Sequence, residues 1–310
     1  WDVSASTNYG TSPLLPTTNA LNVTVVGLTR GSGISTGGQA AARSWGGMAF
    51  TDSSAAAAIA ANRFATFGIA ASPGYRVSIA SLSEFDYRRS ATGAPSGVLQ
   101  YRVGSGAFTD ITNLAYTVTA TTGGTIGPIN VSGIAALQGV GAGTNITFRI
   151  VNYGGTSSAG TWYVYDVGNS AAPDLALQGS VTPELAPIQK WRQHWFGTIQ
   201  NAGVAADDYV STSDGLPNLL KYALGLEPLV PADNPIVIDL TNGHLALSAP
   251  RNPEATDLIF EVQASDDLQT WTTDSIVVDQ SAAPTFRAHD TASADSPARF
   301  LRLRISMSAP

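Results

Sequence analysis

The stretch Ser83-Glu84-Phe85-Asp86-Tyr87-Arg88-Arg89-Ser90 decides the fold. Successive side chains on a strand point to opposite faces, so Phe85 and Tyr87 enter a core while Glu84, Asp86 and Arg88 line the other side. The same period of two recurs upstream in Tyr75, Val77 and Ile79, and downstream in Leu99, Tyr101 and Val103 and in Ile146, Phe148 and Ile150. Short alternating strands split by Gly, Pro, Ser and Thr clusters are the pattern of a jelly roll or β-sandwich, and residues 1–182 read as one such domain. Asp52-Ser53-Ser54 ahead of an alanine run reads as a capped short helix, because a Ser or Asp oxygen accepts from the free N–H groups of a first turn. Residues 134–137 read as another helical turn, and 161–167 and 174–181 as the closing strands.

Pro183, Glu184 and Pro187 mark a boundary. Trp191, Trp195 and Ile199 then recur at helical spacing, as do Leu216, Leu219, Leu220 and Leu224, so 183–234 reads as a short helical linker. From 235 to 310 the β pattern returns; Leu301, Leu303 and Ile305 oppose Arg302 and Arg304 as in a half-buried antiparallel strand. The expectation is an all-β chain: a jelly-roll or sandwich domain, the linker, and a small Ig-like β domain.

At 310 residues the chain has room for two cores. Charged residues make up 13%, against ~25% in ordinary soluble domains, so Ser, Thr, Asn, Gln and Gly must supply the polar surface. The net charge of −7 is uneven: residues 1–180 carry 8 Arg and 7 acids, and the remainder carries 8 basic and 16 acidic residues. Neither half offers the basic surface that nucleic acid requires. With no cysteine, disulfides and thiolate metal sites are excluded. No apolar run approaches the ~18 residues of a membrane helix. The chain begins at Trp1 rather than Met, which reads as the product of signal-peptide removal and gives an extracellular or cell-surface location as the expectation.

The segments GLTRGSG (27–33), AIAANRFATFGIAASPGYRVSIASLSEFDYRRS (58–90), FRIVNYGGTSSAGTWYVYDVGN (148–169) and DGLPNLLKYALGLEP (214–228) resemble a widespread group of secreted bacterial jelly-roll surface proteins of the sorting-signal-associated type. SDDLQTW (265–271) and RFLRLRIS (299–306) resemble the small β domain that commonly closes such chains. The resemblance implies architecture together with glycan binding or a role in building the cell exterior. It also implies a reading of residues 210–221: relatives carry D-x-D-x-D-G followed by Glu, an EF-hand-like calcium loop. Here only Asp214 and Gly215 match, while Val210, Thr212 and Lys221 stand at ligand positions. The loop is expected to be a capping turn that has lost its ion, and no cofactor is expected. Structural calcium at Asp207, Asp208 and Asp214 is the minority alternative.

Glu84-Phe85-Asp86-Tyr87-Arg88-Arg89 resembles half of the E-x-D-x-x-E signature of jelly-roll glycoside hydrolases, whose second Glu is the proton donor. Arg89 stands there, so the leaving group has no acid and no catalytic residue is assigned. Gly33-Ile34-Ser35-Thr36-Gly37 matches a nucleophile elbow only as a pattern, without the strand–turn–helix context. His194, His244 and His289 share no metal-ligand spacing. Sugars stack on exposed rings, and Trp162, Tyr163, Tyr165 and Tyr153 are the candidate glycan platform.

The only lysines are Lys190 and Lys221, so the large domain lacks the residue most used to keep sheet edges apart. The leading expectation is a non-enzymatic structural protein whose copies associate head to tail in an extracellular fibre or matrix, with Glu84, Asp86 and Arg88 as the interface. A carbohydrate-binding module is the alternative and a jelly-roll hydrolase or lyase the third. The expected partners are other copies and a glycan, with neither nucleic acid nor a membrane span.

Overall fold

The computed structural model describes residues 1–38, 40–292 and 298–308. The chain is all-β and forms two compact units, Trp1–Glu184 and Leu185–Pro310.

The first unit is a β-sandwich. Its strands are β1 (Val23–Arg30), β2 (Ser44–Met48), β3 (Phe64–Ala71), β4 (Tyr75–Arg89), β5 (Ser96–Val103), β6 (Thr109–Ala115), the two-residue β7 (Gly124–Thr125), β8 (Ile129–Asn130) and β9 (Val140–Gly141), then β10 (Ile146–Tyr153), β11 (Thr161–Tyr165) and β12 (Leu175–Pro183). One sheet runs β1-β3-β10-β5-β6. The other contains β12, β4, β11 and β2, with β7, β8 and β9 also on β4. Every pairing is antiparallel.

Strand β4, 15 residues long, is the spine of its sheet. Phe85 and Tyr87 are buried and Glu84 is exposed, as the alternation requires. Between Glu84 and Leu82 the register against β12 shifts, so Ser83 is an extra residue. This bulge lets Leu82 and Phe85, three positions apart, both face inward. The core they enter joins both sheets, with Phe67, Leu99, Phe148 and Ile150 from one and Val77, Ile79, Trp162 and Val164 from the other. Helix α1 (Ala55–Ala60) begins where Ser54 Oγ accepts the Ala57 N–H at 3.2 Å. Residues 135–137 make the single 3-10 turn expected near there.

The second unit contains α2 (Pro187–Phe196), α3 (Asn218–Leu224) and strands β13 (Val237–Thr241), β14 (His244–Pro250), β15 (Leu258–Ser265), β16 (Ile276–Gln280), β17 (Thr285–Asp290) and β18 (Phe300–Met307). The strands form a sheet β13-β14-β17-β16 and a pair β15-β18. The helical stretch expected as a linker is built into this unit's core. Ile188, Tyr222 and Leu224 pack with Leu247, Phe260 and Phe286. Asp257 ties both helices in place, accepting the Ile188 N–H (2.9 Å) and the Tyr222 hydroxyl (2.6 Å). Gly197 and Gly225 end the helices in the left-handed conformation that a residue without Cβ adopts most readily.

Phe85 fills the middle of the first core, so Phe85→Ala is expected to cost about 3–5 kcal/mol in urea unfolding of that unit, while Glu84→Gln on the exposed face stays within about 0.5 kcal/mol.

Candidate functional site

The outer face of β4 and β11 holds most of the residues singled out from the sequence. Tyr163 lies opposite Arg88, which puts Tyr163 and Tyr165 on the same outward side as Glu84, Asp86 and Arg88. Their rings are nevertheless 3% and 4% exposed, because Tyr9, Ala40, Ala41, Met48 and Val167 cover them. Arg30 anchors the covering segment, donating to the carbonyls of Gly10 (2.8 Å) and Gly46 (2.6 Å) as well as Tyr9. Trp162 faces the other way into the core and is 1% exposed, and Tyr153 is half-buried. The glycan platform read from these four residues is therefore corrected: the outward pair is roofed by the chain itself, and the indole is a core ring.

The charged trio is also largely engaged within the unit. The Asp86 carboxylate accepts from Thr125 Oγ1, and the Arg88 guanidinium sits over the Tyr165 ring, 5.1 Å from its centroid. Arg43 flanks the same ring, donating to Tyr165 Oη (3.2 Å) and pairing with buried Asp166 (3.3 Å). Glu84 alone is open to solvent. At the sixth position of the hydrolase-like stretch, Arg89 donates to the carbonyls of Tyr116 (2.6 Å), Ser90 (3.2 Å) and Gly93 (3.3 Å). It closes the end of the sandwich. A shallow depression of about 420 Å³ beside it is lined by Arg88, Arg89, Thr119, Thr121 and Tyr163 among others, none of them acidic.

Asp174 was not visible as special in the sequence. It is 3% exposed at the junction of β12 with the first residues, where its Oδ2 accepts the Val3 N–H at 2.7 Å. Burial pushes its carboxyl up to about 6; the Val3 hydrogen bond opposes this, and the carboxylates of Asp166, Asp2 and Asp86 add to it. Asp86 shifts upward as well, mainly through burial.

The other sequence candidates are dispersed. Ser35 Oγ accepts the Gly37 N–H, at 3.3 Å. His194 lies against Trp195, and His244 and His289 are 6.1 Å apart, with His289 Nδ1 2.8 Å from Asp279. Asp207 is held by Arg192 (2.5 Å) and Asn201 (2.8 Å), Asp208 is exposed, and Asp214 pairs with buried Lys221 at 2.7 Å. Among the described residues no three His, Cys, Asp or Glu side chains converge as a metal site. The calcium reading of Asp207, Asp208 and Asp214 thus finds its three carboxylates in separate contacts.

A feature absent from the residue-by-residue reading is the open side of the sandwich. Strands β1 and β12 end their respective sheets. Between them lies a slot of about 190 Å³, lined by Val23, Val25, Ile69, Ile79, Leu177 and Val181, with Trp1 and the polar Thr18, Asn19, Gln178 and Ser180 also on its wall. Strand β12, Leu-Ala-Leu-Gln-Gly-Ser-Val-Thr-Pro, carries no charge along nine residues. In the second unit β13 also ends its sheet, and Val237, Ile238 and Leu240 are 53%, 51% and 73% exposed. The usual charges and lysines that keep edges from pairing are missing from β12, and β13 has only Asp239.

No protein-family model matches the chain, and no curated protein matches it at a significant level.

An acid whose folded pKa is raised destabilises the fold while ionised; the cost is full above about pH 6 and is lost as pH falls from there to the ordinary carboxylate range near 4. Asp174→Asn retains an oxygen for Val3, and is expected to raise the unfolding free energy of the first unit by on the order of 2 kcal/mol near pH 7 and by almost nothing near pH 4. Urea titrations at the two pH values check this.

Proposed function

We propose that the chain is a non-enzymatic, exported structural protein whose copies associate head to tail through sheet edges. The observation that carries this reading is a pair of uncharged or nearly uncharged sheet edges, one in each unit: β12 beyond Leu175, whose backbone is already held by Trp1, beside the slot, and β13 with exposed Ile238 and Leu240 on one face. In the proposed contact β13 of one copy lies along β12 of the next. Its free N–H and C=O groups extend the ladder, and Ile238 and Leu240 cover the slot. The contact joins two different surfaces, so it leaves a free edge at each end and propagates into a linear assembly wherever its rotation does not close a ring. Charge favours the same polarity, since the acids lie mostly beyond residue 180 while the first 180 residues are almost neutral. The interface is thereby moved from Glu84, Asp86 and Arg88, which serve their own unit, to the edge strands. The low share of charged residues supports an extracellular setting, with solubility resting on neutral polar groups.

Light scattering and negative-stain microscopy across a concentration series are expected to show linear assemblies of the full chain. Gln178→Lys/Ser180→Lys, on exposed β12 positions, and Leu240→Lys, on β13, are each expected to leave monomers. Mixing the two variants is expected to give dimers and nothing longer, because each retains one working end. A wild-type chain that stays monomeric at high concentration, or mixed variants that remain monomers, overturns the reading.

A further inference from the structure

Lys221 is 0% exposed, among the most deeply buried side chains of the second unit. An ammonium in such a place needs its N–H groups satisfied and its charge balanced. Its Nζ lies 2.6 Å from Thr212 Oγ1, 2.7 Å from Asp214 Oδ2, 2.9 Å from the Val230 carbonyl and 3.3 Å from the Pro228 carbonyl. Asp214 also accepts the N–H groups of Leu216 (3.0 Å) and Ala232 (2.9 Å). Burial pushes its carboxyl up, but Lys221 and these N–H groups outweigh burial and hold it well below the usual range. One positive centre thus gathers the loop before α3 and the turn after it.

Calcium takes six to eight oxygens at about 2.3–2.6 Å. Here four oxygens, one of them anionic, stand at ammonium distances around an occupied point, so the dication does not fit. We propose that Lys221 is the resident cation of this loop, a tethered ammonium performing the organising role of a bound metal ion, and that residues 212, 214 and 221 with the 228 and 230 carbonyls define a latent calcium site. The inference is independent of the assembly reading.

Thermal unfolding of the full chain, followed for the second unit's transition, tests it. The wild-type midpoint is expected to be the same in millimolar CaCl2 and in EDTA; a calcium-dependent rise overturns the proposal. Lys221→Met leaves Asp214 buried and unpaired and is expected to lower the midpoint by about 10 °C. Asp214→Asn in that background is expected to recover part of the loss, since the unbalanced charge is then gone. An unchanged midpoint in Lys221→Met overturns the idea. Thr212→Asp/Lys221→Glu supplies three carboxylates to the same point and is expected to unfold early in EDTA and regain at least about 5 °C with CaCl2. If that variant ignores calcium, folded or not, the ammonium does not stand at a cation position and the proposal fails.

Discussion

Phe85, Tyr116 and Trp162 meet between the two sheets of the first unit, with ring centroids 5.5–6.4 Å apart, and the rest of that unit depends on the contact. There is no cysteine to hold the layers, so packing alone must do it. Large rings bury the most area per residue and add a preferred edge-on geometry. The buried Tyr116 hydroxyl is satisfied by Asn152 at 2.8 Å, which lets a polar atom sit at the centre without loss. With Phe85 fixed inward, the face on which every β4 neighbour lies is decided, because a slip of one residue would exchange core and surface. Two bulges, at Ala80 and Ser83, each reverse the phase, so Val77 and Ile79 before them and Phe85 and Tyr87 after them share the inward face of one strand of 15 residues.

The second unit is organised differently. Its longest strands run eight residues, and its apolar core is supplemented by buried polar pairs that act as fasteners: Asp257 for the helices, Asp214 with Lys221 for the loop, and Asp290 with Arg299 beside β17. Asn218 belongs to the same set, donating from its amide to the carbonyls of Val204 and Ala206, both at 2.9 Å. Such pairs are directional, and removing one partner strands the other in a poorly solvated place. Geometry in this unit is fixed by a few specific contacts as much as by volume.

The sequence makes the strongly alternating strands legible, including β4, β5, β10 and β18, along with the Ser54 cap and the helical spacing around Leu220. Strand β2, Ser-Trp-Gly-Gly-Met, is not legible, since two glycines erase the period and are present because backbone passes too close for a Cβ: one placed on Gly46 would lie 2.2 Å from the Trp162 carbonyl oxygen. Strand β17 hides because Asp290 occupies an inward position, where Arg299 and the Ala292 N–H satisfy it. For the site residues, alternation correctly separates Trp162 from Tyr163 and Tyr165, but local pattern cannot disclose that Tyr9, 154 residues away, would lie across the outward pair. Exposure is a tertiary property. The same limit applies to Lys221, whose repulsion of a metal follows from its charge, while its burial among four oxygens requires the fold.

The ammonium of Lys221 has a further consequence. A loop closed by a diffusible ion has a stability that follows the ion's free concentration, and it can report that concentration to whatever it is attached to. A loop closed by a covalently attached cation has traded that responsiveness for constancy, because its ligand cannot be chelated, outcompeted or washed away. In a medium whose ionic composition fluctuates, this part of the chain keeps the same free energy, and any sensitivity to divalent ions must arise elsewhere in the molecule.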